Sequence, residues 1–223
     1  MGRIYVPSTG TECWQRLLAK PDPHWKPGYS ARTLAYCWEA ARGFPPEIAR
    51  LFQAKLGKAE LLLALPEHKV QLPGGGADSQ SDVFALVGTA GGLVACAIEG
   101  KVDEPFGPTI GEWLVNASPG KRRRLTFLCG VLGLTEPAPV HIRYQLLHRT
   151  ASALIEAERF HATAAVMIVQ SFSPTRLWFE DFAAFAELMG AAPSADALTR
   201  VTATTSKPLY LGWASGDQAF RLR

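Results

Sequence analysis

Two apolar segments joined by a glycine-rich stretch constrain the fold of this chain more than any other feature. Residues 82–87 and 93–102 flank Gly-Thr-Ala-Gly-Gly at 88–92, a pattern that predicts a β-hairpin. The second segment is uncharged over 93–98, as expected of a strand covered on both faces. It then presents Glu99 and Lys101, which share one face because side chains alternate along a strand. The hairpin therefore predicts a central sheet with charged groups at the end of an inner strand.

The length of the turn decides where Asp82, the carboxylate on the first strand of the hairpin, points. A four-residue turn over 89–92 places Asp82 opposite Glu99 by antiparallel counting. Two carboxylates then meet beside Lys101, which destabilises a sheet unless a cation neutralises them. A five-residue turn sends Asp82 to the other face unless a bulge intervenes.

A divalent cation is the simplest partner for this pair of carboxylates. Mg²⁺ prefers one or two carboxylates plus water and phosphate oxygens, so Asp82, Glu99 and the Gly100 carbonyl are the predicted ligands of Mg²⁺ or Mn²⁺. Open coordination positions would make the site catalytic. The plainer alternative is a salt bridge between Asp82 and Lys101 at a sheet edge, with Glu99 solvated.

The order of the remaining predicted elements favours an α/β layered domain. Ser30 is the expected N-cap of the first helix and Gly43 its left-handed stop. A meander, a helical crossover and a further strand give a mixed sheet flanked by helices. Residues 191–206 are predicted to be a loose connection, and 74–76 a flexible one or an anion nest. Further helices are predicted from Pro46 to Gly57, from Ser118 to Leu132, over 141–158 and after Pro174, and further strands over 60–72, 161–170 and 208–214.

Length and composition fit one well-buried domain over 1–223, with 48% hydrophobic and 19% charged residues. The four cysteines lie far apart without a C-x-x-C pair, which argues against structural zinc and a disulfide framework. Residues 1–11 do not resemble a signal peptide and no apolar run has the length of a membrane span, so a cytoplasmic protein without a membrane partner is expected.

One basic cluster supplies most of the small positive charge of the chain. A net charge of +3 does not by itself indicate a nucleic-acid partner. The cluster lies in the first turn of a predicted helix, where the macrodipole disfavours cations and a phosphate backbone would offset that cost. A solvated charged face is the alternative. The predicted phosphate contacts are Lys121, Arg122, Arg123 and Arg124.

The order helix, strand, Asp-bearing strand, Glu-x-Lys strand, helix, strand resembles the PD-(D/E)XK nuclease-like superfamily. Ser81-Asp82 and Glu99-Gly100-Lys101 carry its motif, with Ser81 in place of the usual proline. The stretches 72–82 and 98–107 further resemble an uncharacterised bacterial family. The resemblance covers about 45–170, and leaves an N-terminal helical extension over 1–44 and a C-terminal helix and strand over 171–223.

This resemblance implies a restriction-endonuclease-like core and a Mg-dependent phosphodiester hydrolase that acts on DNA or RNA. It implies that Asp82 and Glu99 bind the metal and that Lys101 orients or deprotonates the attacking water. The alternative is a catalytically silent nucleic-acid- or protein-binding module that kept the fold. Supporting residues implied on the flanking helices are Glu47, Gln145, His148 and Arg149.

Overall fold

The computed structural model describes residues 10–18 and 21–223, which form a six-stranded mixed sheet covered by helices on both faces. The helices are α1 (Glu12–Gln15), α2 (Pro21–His24), α3 (Ser30–Ala41), α4 (Pro46–Leu56), α5 (Ile110–Leu114), α6 (Pro119–Leu132), α7 (Tyr144–Arg159) and α8 (Phe179–Leu188), with a 3₁₀ turn at Gln218–Leu222. The strands are β1 (Ala59–Val70), β2 (Ser79–Thr89), β3 (Gly92–Lys101), β4 (Ala164–Ser171), β5 (Ala197–Arg200) and β6 (Leu209–Ser215).

The strand order across the sheet is β1-β2-β3-β4-β6-β5. Strands β1, β2 and β3 form an antiparallel meander, β4 pairs parallel to β3, and β6 pairs parallel to β4. Helices α5 to α7 make the crossover that a parallel connection requires. The predicted mixed sheet flanked by helices, with helices ahead of the first strand, is therefore confirmed.

Several local predictions need correction. Tyr29, in an extended conformation, is the N-cap of α3 instead of Ser30, and Arg42 takes the left-handed position instead of Gly43. The stretch 191–206, predicted to be loose, contains β5, which pairs antiparallel with β6 and closes one edge of the sheet. Residues 1–9 and 19–20 of the predicted N-terminal helical extension lie outside the described residues.

The hairpin has the register that places the site. Gly88 lies opposite Leu93 and Val83 opposite Ile98, which is the predicted register. The pairing extends one position further than predicted, to Thr89 and Gly92, so only residues 90–91 are unpaired in the turn. Gly92 has φ +111°, and a Cβ there would come 2.7 Å from Thr163, which explains why glycine ends the turn. The paired register ends at Val83 and Ile98, and beyond it the side chain of Asp82 accepts a hydrogen bond from the Gly100 N–H.

The sheet separates two apolar cores by side-chain alternation. Phe84 and Ala97 belong to the core beneath α6, α7 and α8, whereas Val83 and Ile98 belong to the core beneath α3 and α4. Alternation continues the β3 set through Glu99 and Lys101, and Glu99 bonds Gln145 and Arg149, so both charged residues of β3 lie on the α7 side of the sheet. Asp82 does not follow this alternation: its Oδ2 lies 3.3 Å from where a Cβ on Gly100 would stand, and that Cβ would also be 3.4 Å from Leu34 of α3. None of the helices among the described residues is long and apolar enough to cross a membrane.

Candidate active site

Glu99, at the end of β3, is the centre of a buried ion-pair cluster. Its Oε1 accepts hydrogen bonds from Lys101 Nζ at 2.5 Å and from Gln145 Nε2 at 2.7 Å. Its Oε2 accepts one from Arg149 Nε at 2.6 Å. Glu99 is 2% exposed and Lys101 3% exposed, so water screens these contacts little. The alternative with a solvated Glu99 and an Asp82–Lys101 salt bridge does not describe this arrangement.

The charges around Glu99 keep it ionised. Burial alone would raise the pKa of Glu99, but Lys101 and Arg149 outweigh burial and hold the pKa below its ordinary value. Gln145 and Arg149 reach the same carboxylate because they lie four residues apart on one face of α7. The predicted supporting residues Gln145 and Arg149 are thus brought to the predicted catalytic residues.

Asp82 lies beside this cluster, and its pKa is raised whereas that of Glu99 is lowered. Its Oδ2 accepts the Gly100 N–H at 2.7 Å. Burial and then the charge of Glu99 raise its pKa to about 7, against the opposing pull of Lys101. A Cβ on Gly100 would stand 3.3 Å from Asp82 Oδ2 and 3.4 Å from Leu34, so glycine permits the close approach of this carboxylate to the strand.

Glu67 on β1 is a third carboxylate of the site, and sequence reasoning missed it. Its Oε2 accepts a hydrogen bond from Gln80 Nε2 at 2.7 Å, and burial followed by the charge of Asp82 raises its pKa to about 8. The β1–β2 register pairs Pro66 with Val83, which brings Glu67 level with Asp82. A correct prediction of the β1–β2 register would have identified Glu67 as a residue of the site. Pairing of β1 with β2 was not fixed by the sequence, however, and Glu67 has a left-handed φ of +53°.

His148 joins the site as a neutral group. Its Nδ1 lies 2.8 Å from Ser79 Oγ, and Arg149 Nη1 donates to the same hydroxyl at 3.3 Å. Burial and then the charge of Arg149 hold the pKa of His148 well below its ordinary value. His148 is therefore uncharged at neutral pH and helps to fix Arg149 instead of contributing a charge.

These groups line one cavity of about 550 Å³ at the carboxyl end of β3. Its base holds Glu99, Lys101 and Arg149, which are all buried. The N-terminal helices contribute His24 and Tyr29 to one wall, and the loop 104–108 forms another. The fold thus gathers six of the predicted site residues around one partly open cavity: Asp82, Glu99, Lys101, Gln145, His148 and Arg149.

Glu47 does not belong to this cavity. It lies on the opposite side of the sheet, where its Oε1 accepts a hydrogen bond from Gln170 Nε2 at 2.6 Å. Gln170 in turn accepts one from Trp38 Nε1 at 2.9 Å, so the three side chains form a buried polar network between α3, α4 and β4. Glu47 satisfies a core amide in this structure.

The basic cluster of α6 divides into two kinds of residue. Arg124 is 8% exposed, and its guanidinium donates to carbonyls of the loop 72–77, including those of Pro73 at 2.9 Å and Ala77 at 2.8 Å. Lys121 Nζ donates to the Trp113 carbonyl at 2.8 Å. Arg122 and Arg123 are exposed. Arg124 therefore clamps the glycine-rich loop, which is ordered by these bonds, and only its two exposed neighbours are free to meet a large partner.

The donor set of the cavity suits a hard cation, although it is not a preformed cage. Among residues 10–18 and 21–223, no group of three or more His, Cys, Asp or Glu side chains is placed to hold a metal ion by itself. Asp82 and Glu99 supply carboxylate oxygens, the ligands that Mg²⁺ prefers. Burial and then the charge of Glu99 raise the pKa of Asp82, and a divalent cation would offset both effects. These residues fit Mg²⁺ or Mn²⁺ with water and substrate completing the coordination.

Comparison with known proteins gives one match. A family described as "Domain of unknown function (DUF6946)" matches residues 7–218. No curated protein matches the chain, and no solved structure matches it.

Proposed function

We propose that this chain, which belongs to the family described as a domain of unknown function (DUF6946), is a Mg-dependent phosphodiester hydrolase acting on DNA or RNA. One observation carries the proposal: Asp82, Glu99 and Lys101 meet in a single cavity, with Gln145 and Arg149 of the crossover helix bonded to Glu99. A buried carboxylate and a half-buried one beside a buried lysine form an arrangement with a stability cost and a chemical use.

The topology supports the finer assignment of a restriction-endonuclease-like core. The meander of β1 to β3, the crossover through α7 and the parallel strand β4 follow the order expected of the PD-(D/E)XK superfamily. Asp82 lies near the start of the second strand of this unit and the Glu99-Gly100-Lys101 motif at the end of the third. The meander and the crossover flank the cavity that these residues line.

Each side chain has a role in this proposal. Asp82 and Glu99, with the Gly100 carbonyl, would hold Mg²⁺ or Mn²⁺, which when bound neutralises phosphate charge and lowers the pKa of water. Lys101 Nζ, held by Glu99, lies where it can orient the attacking water and take or give its proton. Arg149 is a positioning residue, because it acts through Glu99.

The experiment compares Lys101→Met with Lys69→Met, a lysine on β1 that is exposed to solvent. With Mn²⁺ and single- or double-stranded DNA and RNA, we expect Lys101→Met to lower turnover by about 10²- to 10⁴-fold, the usual contribution of a general acid or base. Lys69→Met should cleave like the wild type. Undiminished cleavage by a folded Lys101→Met variant would refute the role of Lys101.

A catalytically silent binding module is the second candidate, and one observation favours it. Both oxygens of Glu99 already accept hydrogen bonds, from Lys101, Gln145 and Arg149, so the cluster is stable as it stands. Divalent ions separate the two candidates. The melting temperature of the enzyme should increase with Mg²⁺ or Mn²⁺, because a ligand that binds the native state stabilises it. The melting temperature of the silent module should not change.

A further inference from the structure

The candidate active site is a pocket that is partly open to solvent. A sphere of its volume, about 550 Å³, is about 10 Å across, less than the ~12 Å width of one major groove of B-DNA. The volume falls in the range of about 300–1,000 Å³ typical of small-molecule sites. Tyr29 and the loop 104–108 line the same pocket as the buried Glu99 and Lys101. A site of this volume has room for one or two nucleotides and not for the width of a double helix.

The charges that line the pocket also disfavour a duplex. Duplex binding draws most of its affinity from rows of lysine and arginine side chains on phosphates. Among the described lining residues, Lys101 and Arg149 are the lysine and arginine side chains, and both are paired with Glu99. The five lining carboxylates are Glu67, Asp78, Asp82, Glu99 and Glu104. The lining has no row of free cations on which a double helix could rest.

An aromatic side chain stands at the mouth of the pocket. Tyr29 lines the cavity and is 44% exposed, although a ring of this size is usually more buried. It precedes the first turn of α3, whose packing on the sheet fixes its backbone. Exposed aromatic rings beside a backbone-binding site stack unpaired bases and do so with little regard to sequence.

We propose that the pocket takes an unpaired segment of one or two nucleotides, so that the substrate is a single strand or a single-stranded end, with a base stacked on Tyr29. This inference rests on the proposed hydrolase function and names the substrate class of the same site. The size of the pocket and the exposed ring of Tyr29 point to it together.

The test uses four substrates with Mn²⁺ and the full chain. They are a labelled single-stranded oligonucleotide, the same strand in a blunt duplex, a duplex with a single-stranded overhang, and bis(p-nitrophenyl) phosphate. We expect the single strand and the overhang to be cleaved at least about tenfold faster than the blunt duplex, and the small diester to be hydrolysed. Fluorescence anisotropy with Lys101→Met and Ca²⁺ gives the matching dissociation constants without turnover.

Variants of Tyr29 test the stacking contact. Tyr29→Ala should weaken binding of the single strand by about 5- to 150-fold, the range for loss of one base–aromatic stack. Tyr29→Phe keeps the ring and should bind like the wild type. Tyr36→Ala, on the same helix but outside the pocket, is the matched control and should also leave binding unchanged.

The outcomes separate the two proposals. Equal rates and equal dissociation constants for strand and blunt duplex would overturn the single-strand inference, while hydrolysis of bis(p-nitrophenyl) phosphate would still support a hydrolase. Unchanged binding by Tyr29→Ala would overturn the stacking contact. Failure to hydrolyse any of the four substrates would overturn the hydrolase function and the substrate class that rests on it.

Discussion

Replacing Glu99 by Gln tests the buried cluster directly, because it removes one charge and keeps the shape. In the native protein the two oxygens of Glu99 accept from Lys101, Gln145 and Arg149. A glutamine at this position has one carbonyl oxygen that can accept. Its NH₂ group can only donate, and it would face Lys101 and Arg149, which are also donors. Glu99→Gln thus leaves Lys101 and Arg149 buried without the carboxylate that both of them bond, and Asp82 and Glu67 remain as the carboxylates whose charges act on Arg149.

The expected loss follows from burial. Removing one partner of a buried ion pair costs about 3–5 kcal/mol, because the remaining charge is left without compensation. In a chain of 223 residues, 1 kcal/mol changes the melting temperature by about 2–4 °C, so the predicted decrease is about 6–20 °C. Glu187→Gln, on the exposed face of α8, removes the same charge and should leave the melting temperature unchanged.

The assay is thermal and urea unfolding followed by circular dichroism at several pH values. The pKa of Glu99 is lowered in the folded state, so its charge stabilises the fold above its unfolded pKa near 4.5 and that stability is lost as pH falls through the lower folded value. The difference between wild type and Glu99→Gln should therefore shrink at acid pH. Adding Arg149→Met should cost less than the two single changes together. A loss below about 1 kcal/mol at neutral pH, or one that persists unchanged in acid, would refute the buried cluster.

Two further predictions concern the neighbours of the cluster. The pKa of Asp82 is raised to about 7 in the folded state, so its ionisation disfavours folding as pH rises from about 4 to about 7. Asp82→Asn should gain stability relative to the metal-free wild type over that window in thermal melts, and a constant difference would contradict the raised pKa. Gly120→Ala and Gly130→Ala, both in α6, should change stability in opposite directions. A Cβ on Gly120 would come 2.1 Å from the Gly74 carbonyl oxygen, whereas Gly130 has nothing within 4 Å and gains helix propensity of about 1 kcal/mol. Equal signs in thermal melts would contradict this packing.

The sequence predicted the hairpin, its register and the face of Glu99 and Lys101 because these depend on local rules. The turn glycines set the register from Gly88 and Leu93 to Val83 and Ile98. The face of Asp82 did not follow, because Ser79 and Phe84, an odd number of residues apart, both pack on the α7 side, so β2 changes face between them. The positions of Gln145 and Arg149 also followed, because a spacing of four residues places them on one helical face. These predictions required no knowledge of contacts outside the motif.

The remaining features depend on packing between distant segments. Helical periodicity shows which residues share a face of α4 but not which side of the sheet the helix covers, so Glu47 came to lie against Gln170. The glycines at 74–76 suggested flexibility, and their partner Arg124 lies about fifty residues further along the chain. Glu67 needed both the β1–β2 register and a left-handed conformation that non-glycine residues adopt infrequently.

The three carboxylates of the cavity differ in how readily they would bind a cation. Glu99 is ionised and fully hydrogen-bonded, whereas Asp82 and Glu67 have raised pKa values. Glu99 already has Lys101 and Arg149 as counter-charges, so it supplies a fixed negative centre. Asp82 and Glu67 have pKa values of about 7 and about 8, so both hold protons for part of the time near neutral pH. Ligand carboxylates must lose their protons to bind a metal, and binding therefore releases protons and strengthens as pH rises. In the proposed hydrolase, acid would therefore protonate Asp82 and reduce the fraction of sites that hold a metal ion. The pH dependence of metal binding would come from Asp82 far more than from Glu99.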